Sequence, residues 1–255
     1  MGGESTTRTA PGTARTGPAA ATGRAGQRLS GLAVALGMVL FLGGFVWAAV
    51  VYRPYTVPTD SMTPTIGTGD RVLAQRVDGT DVRRGDVVVF RDSTWADAPM
   101  VKRVVAVGGD TVSCCEHGKL QVDGKEIDEP YLPAGTSAQS AGFPTVTVPE
   151  GRLFLLGDER RTSLDSTAHL TDAAGGSVAR SAVEARVDAV VWPMDGMLQR
   201  PTGFTELGPL SSPGPLRAIT WTVIAGVVLI LGGAAYGPLA KRAASRARTG
   251  SAGAR

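Results

Sequence analysis

The stretch Val57–Asp70, VPTDSMTPTIGTGD, decides how this chain is read. It follows a long uncharged run and sets Ser61 between Pro58-Thr59-Asp60 and a stiff exit, Met62-Thr63-Pro64-Thr65. A serine hydroxyl is a poor nucleophile until a neighbouring group takes its proton. If Ser61 is a nucleophile, a base must be supplied from elsewhere in the chain.

Upstream of the stretch, Gly31 to Tyr52 is 22 residues without a charge. As a helix rising about 1.5 Å per residue it is about 33 Å long, enough for a hydrocarbon core of about 30 Å. Downstream, Ala218 to Ala240 is a second uncharged run of 23 residues, followed by Lys241, Arg242, Arg246 and Arg248. Residues 1–28 hold Arg8, Arg15, Arg24 and Arg28 against Glu4 alone, in a background of Gly, Ala, Ser, Thr and Pro. Such a segment cannot bury a core and reads as a disordered basic tail. The expected order is this tail (1–28), a transmembrane helix (29–52), an outer domain (53–217), a transmembrane helix (218–240) and a basic tail (241–255). Each basic cluster lies on the side of its span away from the middle of the chain. The positive-inside rule then puts both termini in the cytoplasm and residues 53–217 across the membrane. A cleaved signal peptide is the alternative for the first span, although its apolar core is normally only about 7–15 residues. A buried core helix is the alternative for the second, against which the trailing basic residues speak.

The 165 residues of the outer segment can bury a core of their own. Short apolar runs such as DRVLAQRV, GDVVVF, VKRVVAVGG and GRLFLLGD are bounded by Gly-Asp and Asp-Gly pairs. Runs of this kind read as strands, and QVDGKEI reads as a tight hairpin turning at Asp123-Gly124. No long helical period appears between residues 53 and 200. The fold class expected is mostly β, a membrane-anchored outer β-domain flanked by two spans. Cys114 and Cys115 are adjacent; on the oxidising side of a membrane they could bridge, and the reading favoured is a pair of strand-end thiols facing opposite ways. No metal constellation and no phosphate-cradling glycine loop is visible, so no metal, no cofactor and no nucleic acid is expected.

A general base must lose its proton near neutral pH. Arginine does not, and 22 of the 26 basic residues are arginine. Lys119 and Lys125 flank a polar hairpin and are simply solvated. Lys102 stands in the apolar run PMVKRVVAVGGD, where desolvation would lower its pKa. His169, in STAHLTDAAGGS, and His117, beside a turn, are the other candidates. A further segment, LLGDERRTSLDST (Leu155–Thr167), ends an apolar strand at Gly157-Asp158 and opens a polar loop with Ser163 and Asp165. Catalytic residues commonly lie on such loops.

SMTPT, GDRVL, RRGDVVVF, VKRVVAVGGDTV and LLGDERRTSLDS, in this order behind a membrane span, resemble type I signal peptidases, with ARVDAVVWP as the closing strand. These are membrane-bound Ser-Lys endopeptidases that remove signal peptides from exported preproteins. The resemblance covers Tyr55 to Pro193 and implies a plasma-membrane enzyme. It implies Ser61 as nucleophile and Lys102 as general base, with neither histidine needed. It further implies that Thr59 joins the Ser61 amide in an oxyanion hole, that Ser163 orients the lysine, and that Asp165 braces the site with Arg103 near it. Gly157 and Asp158 fit the turn that delivers the Ser163 loop. The substrate would lie extended between Tyr55–Pro58 and Pro99–Lys102, over shallow pockets built from Val57, Met62, Ile66 and Val101.

The sequence departs from the family at two points. Thr167 stands where the family has an arginine paired with the aspartate, so Arg160, Arg161 or Arg103 would have to substitute. Asp60 stands where many members have a small residue. The partners implied are signal peptides and the lipid bilayer, and a monomer is expected. Two rival readings stay open. One is the soluble self-cleaving repressor type, which lacks spans and carries a DNA-binding segment. The other is a peptidase-derived outer β-domain that binds a partner without cleaving it.

Overall fold

The computed structural model describes residues 18–115, 118–136 and 142–252. They form two compact units, a helix pair (residues 18–47 with 217–252) and a β unit (Ala48–Leu216).

The helix pair consists of α1 (Pro18–Val51) and α2 (Leu216–Ala252). Within them Ala25–Val51 and Leu216–Ala243 are long and apolar enough to cross a membrane. Residues 18–28, expected to be part of an unstructured tail, are helical and continuous with the first span. The helix likewise runs on through the basic residues after Ala240. The two helices touch through small residues. A Cβ on Gly37 would fall 2.8 Å from the Gly226 carbonyl oxygen, and the Ser30 hydroxyl donates to the Gly233 carbonyl at 2.7 Å. Close backbone approach and interhelical hydrogen bonds associate helices where lipid removes the hydrophobic drive.

The β unit starts where Pro54 forbids further helix. Strands β1 (Tyr52–Thr56), β2 (Arg71–Gln75), β3 (Val87–Asp92) and β4 (Ala96–Val107) come first. Then come β5 (Thr111–Cys114), β6 (Leu120–Val122), β7 (Lys125–Glu126), β8 (Phe143–Thr147), β9 (Arg152–Leu156), β10 (Val178–Ala179), β11 (Val183–Trp192) and β12 (Gly196–Met197). One sheet runs β1-β2-β11-β3-β4-β9-β10, with β12 on β11, and a second runs β7-β6-β5-β8. All pairings are antiparallel. Pro54 lies on an edge strand, where a missing N–H is tolerated. Between Tyr52 and Pro215 the described residues contain no α-helix, as the mostly β expectation required. The turn between β6 and β7 is Asp123-Gly124, both at positive φ, the left-handed pair that a two-residue hairpin of this hand needs.

Three apolar clusters hold the unit together. Val57, Met62, Ile66, Val72, Val87, Val89 and Val187 pack under the Ser61 loop. Val88, Phe90, Val104, Leu153 and Leu155 fill the other face. Val105, Phe154, Leu120, Val122 and Phe143 join the two sheets. Each fully buried Phe, Leu or Val contributes about 1.5–3 kcal/mol. Cys114 and Cys115 close a disulfide between neighbours, with Cys114 in the intersheet core, contrary to the two separate thiols expected.

Both ends of the unit are tied down. The Arg76 guanidinium donates to the Ala49 carbonyl at 3.1 Å and to that of Val50, satisfying the last carbonyls of α1. The Tyr52 hydroxyl donates to Asp188 at 2.8 Å and accepts the Leu216 amide at 3.1 Å. Asp188 belongs to a buried group with Asp86, Arg186 and Arg200. Arg200 pairs with Asp188 at 2.6 Å and with Asp86 at 3.5 Å, and Arg186 reaches Asp188 at 3.6 Å.

Candidate active site

Ser61 sits on the loop between β1 and β2. The loop is pinned at its base by Val57 N–H to the Asp70 carbonyl (2.9 Å) and Gly69 N–H to the Val57 carbonyl (2.7 Å). Inside it the Asp70 carboxylate accepts the Gly67 amide at 2.7 Å. From the far side the Glu159 amide donates to the Ser61 carbonyl at 3.1 Å, which fastens this loop to the one after β9. The stiffness read from the two prolines is thus reinforced by main-chain bonds at three points.

Lys102 and Arg103 are consecutive in β4 and so point to opposite faces of the sheet. Lys102 is opposite Val88, and Arg103 opposite Val87. The Lys102 Nζ lies 2.7 Å from Ser61 Oγ. Lys102 is only 4% exposed. Among the described residues no carboxylate comes within the 4.0 Å of an ion pair with its amine. Burial pushes the Lys102 pKa down from the usual lysine range, against a weaker upward pull from Asp165 and Asp158. A neutral amine carries a lone pair that can accept the serine proton. The Thr59 hydroxyl is 3.2 Å from Ser61 Oγ, so the oxygen has two polar neighbours.

On the opposite face Arg103 is sealed in. Its Nε and Nη2 reach the two Asp158 oxygens at 2.8 and 2.6 Å, and its Nη1 donates to the Gly85 carbonyl at 2.9 Å. Its guanidinium carbon lies 3.8 Å from the centre of the Tyr131 ring. Thr65, four residues beyond Ser61, donates to Asp158 at 2.5 Å. Arg103 and Asp158 therefore lock the β9 turn and the Ser61 loop to β4.

Arg103 is consequently not the partner of Asp165. Nor does Arg160 stand in for it, since Arg160 grips Glu129 at 2.9 Å and the Gly157 carbonyl at 2.9 Å. Arg161 is exposed. Asp165 is instead satisfied by neutral donors: Gly157 N–H at 2.9 Å, Thr167 N–H at 3.1 Å and the Thr167 hydroxyl at 2.7 Å. The expected arginine substitute is replaced by the cap of a short 3-10 turn, Ser166–His169. Ser163 is close by but its buried hydroxyl has no hydrogen-bond partner among the described residues, so the orienting bond to Lys102 is not drawn. What crowds it is Gly157, where a Cβ would fall 2.1 Å from Ser163 Oγ and 2.5 Å from the Ser61 carbonyl.

A cleft of about 480 Å³ opens on Ser61 and Lys102. Tyr55–Pro58 forms one wall and Ala98–Val101 the other, with Val89 between them and Thr162 and Leu164 at the rim. Val57 and Val101 line it, whereas Met62 and Ile66 do not: both are 0% exposed and belong to the core beneath. Their spacing after Ser61 turns them inward, since the Ile66 amide donates to the Met62 carbonyl in a helical turn. Leu164 escaped the sequence reading. A leucine between Ser163 and Asp165 looks like filler, yet it is 72% exposed on the cleft rim.

His169 stacks on Trp95, centroids 4.4 Å apart, and pairs with Asp172 at 2.8 Å, away from the cleft residues. His117 lies outside the described residues. Among the described residues no three His, Cys, Asp or Glu side chains converge as metal ligands would.

A stiff loop serine thus lies against a buried lysine on an antiparallel β scaffold, and a serine hydroxyl becomes a good nucleophile when a neighbouring group can take its proton. The profile of the family described as "Signal peptidase, peptidase S26" matches residues 29–192, and the chain belongs to that family of serine endopeptidases. Signal peptidase I of Mycobacterium tuberculosis is 32% identical over 199 residues, covering 58% of this chain and 68% of that protein. Signal peptidase I S of Bacillus subtilis is 34% identical over 145 residues, covering 53% and 74%. A solved signal peptidase I from Enterococcus faecalis, 26% identical, covers 46% of this chain and 96% of its own, with a TM-score of 0.33. Family membership implies preproteins bearing signal peptides as substrates, and the two apolar helices fit a membrane-anchored enzyme.

Proposed function

We propose that Ser61 attacks the scissile carbonyl of a signal peptide while Lys102 takes its proton. The observation that carries this is the 2.7 Å approach to a serine hydroxyl of a buried lysine that has no ion-pair partner among the described residues. The neutral amine removes the hydroxyl proton as the Ser61 oxygen bonds to carbon. The resulting ammonium then protonates the departing amine, and the same lysine activates the water that hydrolyses the acyl-enzyme. The Ser61 amide and the Thr59 hydroxyl receive the oxyanion. A donor of this kind is worth about 100- to 1,000-fold in rate. Ser163, whose hydroxyl is unbonded among the described residues, is left to turn toward the lysine and orient it when substrate binds, and Asp165 holds the loop that carries it, while Arg103 and Asp158 hold its frame. The substrate lies as an added strand between Tyr55–Pro58 and Pro99–Lys102, where main-chain bonds give affinity and shallow pockets at Val57 and Val101 admit small side chains.

The same reading places the β unit outside the plasma membrane, both termini in the cytoplasm, and the enzyme as a monomer. The purified full chain in detergent should cleave a preprotein, and Ser61→Ala should abolish the cleavage while the variant stays folded. A fully active Ser61→Ala enzyme removes Ser61 from the mechanism, and a wild-type chain that binds the preprotein without cutting it favours a binding module. Protease added outside intact cells should reach the β unit and spare tags at both termini. Loss of a C-terminal tag refutes the topology.

A further inference from the structure

Near its basic end the helix pair carries an open crevice of about 310 Å³, lined by Gln27, Ser30 and Gly31 of α1 and Ala234, Gly237, Pro238 and Lys241 of α2, with Gln27 and Lys241 exposed. Its shape follows from the sequence. Pro238 has no N–H to give to the carbonyl of Ala234, a crevice residue one turn earlier, so that carbonyl lacks its usual helical donor. Gly237 allows the helices to close tightly beside it: a Cβ there would stand 2.9 Å from Ser30 Oγ. Ser30 is itself committed to the Gly233 carbonyl. The crevice is therefore lined by one ammonium side chain, one amide side chain and a residue whose carbonyl lacks its usual helical donor. Arg28 and Arg242, both exposed, stand next to it in sequence. Aliphatic helix surface continues from it, with Leu29, Leu32, Leu231 and Leu239 all more than half exposed.

We propose that this crevice binds the headgroup of an anionic phospholipid, with the phosphate on Lys241 and the Gln27 amide and a headgroup hydroxyl donating to the Ala234 carbonyl. The charge selects the occupant. Among the described residues no carboxylate lines the crevice, so none there neutralises the lysine. The adjoining apolar helix surface suits acyl chains, which singles out a lipid over free phosphate. Basic pockets between helices at the cytoplasmic side are a general means of holding anionic lipid, at about 1 kcal/mol per cation near the surface. The proposal rests on the helix pair lying in a bilayer and adds to that a specific, stoichiometric lipid.

The test uses the full chain in nanodiscs of phosphatidylcholine containing a minor fraction of phosphatidylglycerol, with release into detergent and native mass spectrometry. One retained phosphatidylglycerol per chain is expected, preferred over phosphatidylcholine by about fivefold or more. Lys241→Gln should remove the preference, and Arg242→Gln, outside the crevice, should keep most of it. Equal retention of the two lipids overturns the proposal without recourse to any variant. So does an unchanged preference in Lys241→Gln, or an equal loss in Arg242→Gln, which would show diffuse charge rather than a site. Millimolar inorganic phosphate that displaces the lipid would show an ion site and overturn the lipid assignment. Circular dichroism of each variant checks that the helices persist. The topology is read separately by tag digestion, so a misassigned orientation and a missing lipid site give different results.

Discussion

Behind β11, Asp86 and Asp188 are buried with Arg186 and Arg200, two acids against two bases, with the Tyr52 and Ser211 hydroxyls filling remaining positions on the carboxylates. At the cleft, Lys102 is as deeply buried as Arg186, 4% against 5% exposed, yet it faces a serine hydroxyl and no carboxylate within ion-pair distance. Arg103, its neighbour in sequence, has a bidentate acid. The physical rule is that a buried charge without a partner costs several kcal/mol and sheds its charge instead. Charges that serve the frame are paired. Among the described residues of the β unit, the one amine left without an acid is the one placed on the Ser61 hydroxyl, and β4 keeps it apart from the permanent cation by the alternation of a strand.

The comparison breaks most sharply at Lys102. Lys102→Arg keeps length and charge but cannot release a proton, and cleavage should fall by about 100- to 10,000-fold. In the wild-type enzyme kcat/KM should rise with pH through a value below that of free lysine, about 10.4, because the deprotonated form is the active one. Linkage gives a second, opposite sign. Where the unfolded chain binds the proton and the folded chain does not, stability rises with pH. The buried Lys102 therefore costs stability at neutral pH, so Lys102→Met should inactivate the enzyme and raise its unfolding midpoint. An active Lys102→Arg, or a Lys102→Met that unfolds earlier, breaks the contrast.

The paired side of the comparison is tested at Asp158. Asp158→Asn leaves Arg103, 2% exposed, without its anion, a loss of about 3–5 kcal/mol in urea unfolding. A smaller effect is expected at Thr167. Thr167→Val removes the hydroxyl bond to Asp165, worth about 1 kcal/mol, whereas Thr167→Arg supplies a charged partner and should keep or raise activity. Asp165→Ala in the same chain should erase any gain, since the two sites are coupled. An inactive Thr167→Arg would mean that the capped turn leaves no room for a guanidinium. The smallest effect belongs to the histidines: His169→Ala loses a stack on Trp95 worth about 0.5–1.5 kcal/mol and should retain cleavage, as should His117→Ala.

The strands, the Asp123-Gly124 hairpin and the apolar spans were legible because each is written in local periodicity and turn chemistry. The meeting of Ser61 with Lys102, 41 positions apart, was legible only through resemblance. Spacing alone left two histidines as rivals. What stayed hidden was pairing at long range. Nothing local says that Arg103 reaches Asp158, 55 residues away, in preference to Asp165. The substitution of Thr167 for arginine is met by a main-chain cap, which no side-chain pattern announces. Met62 and Ile66 were misplaced because their apolar character fits a pocket wall and a core equally, and only the turn after Ser61 decides. The bridge between Cys114 and Cys115 depends on the conformation of one peptide unit, which the pair of letters does not reveal.

The meeting of Tyr52 with the Leu216 amide has an architectural consequence. The polypeptide enters and leaves the β unit at the same point, so the unit hangs as a closed cassette whose two attachment ends are joined by its own hydrogen bond. Domains with adjoining ends tolerate insertion into other chains. Lengthening either helix, or exchanging it for another, should therefore leave the strand register and the spacing of serine and lysine unaltered. Anchoring and chemistry can then diverge independently in descent, with the span count free to change while the catalytic cassette is passed on intact.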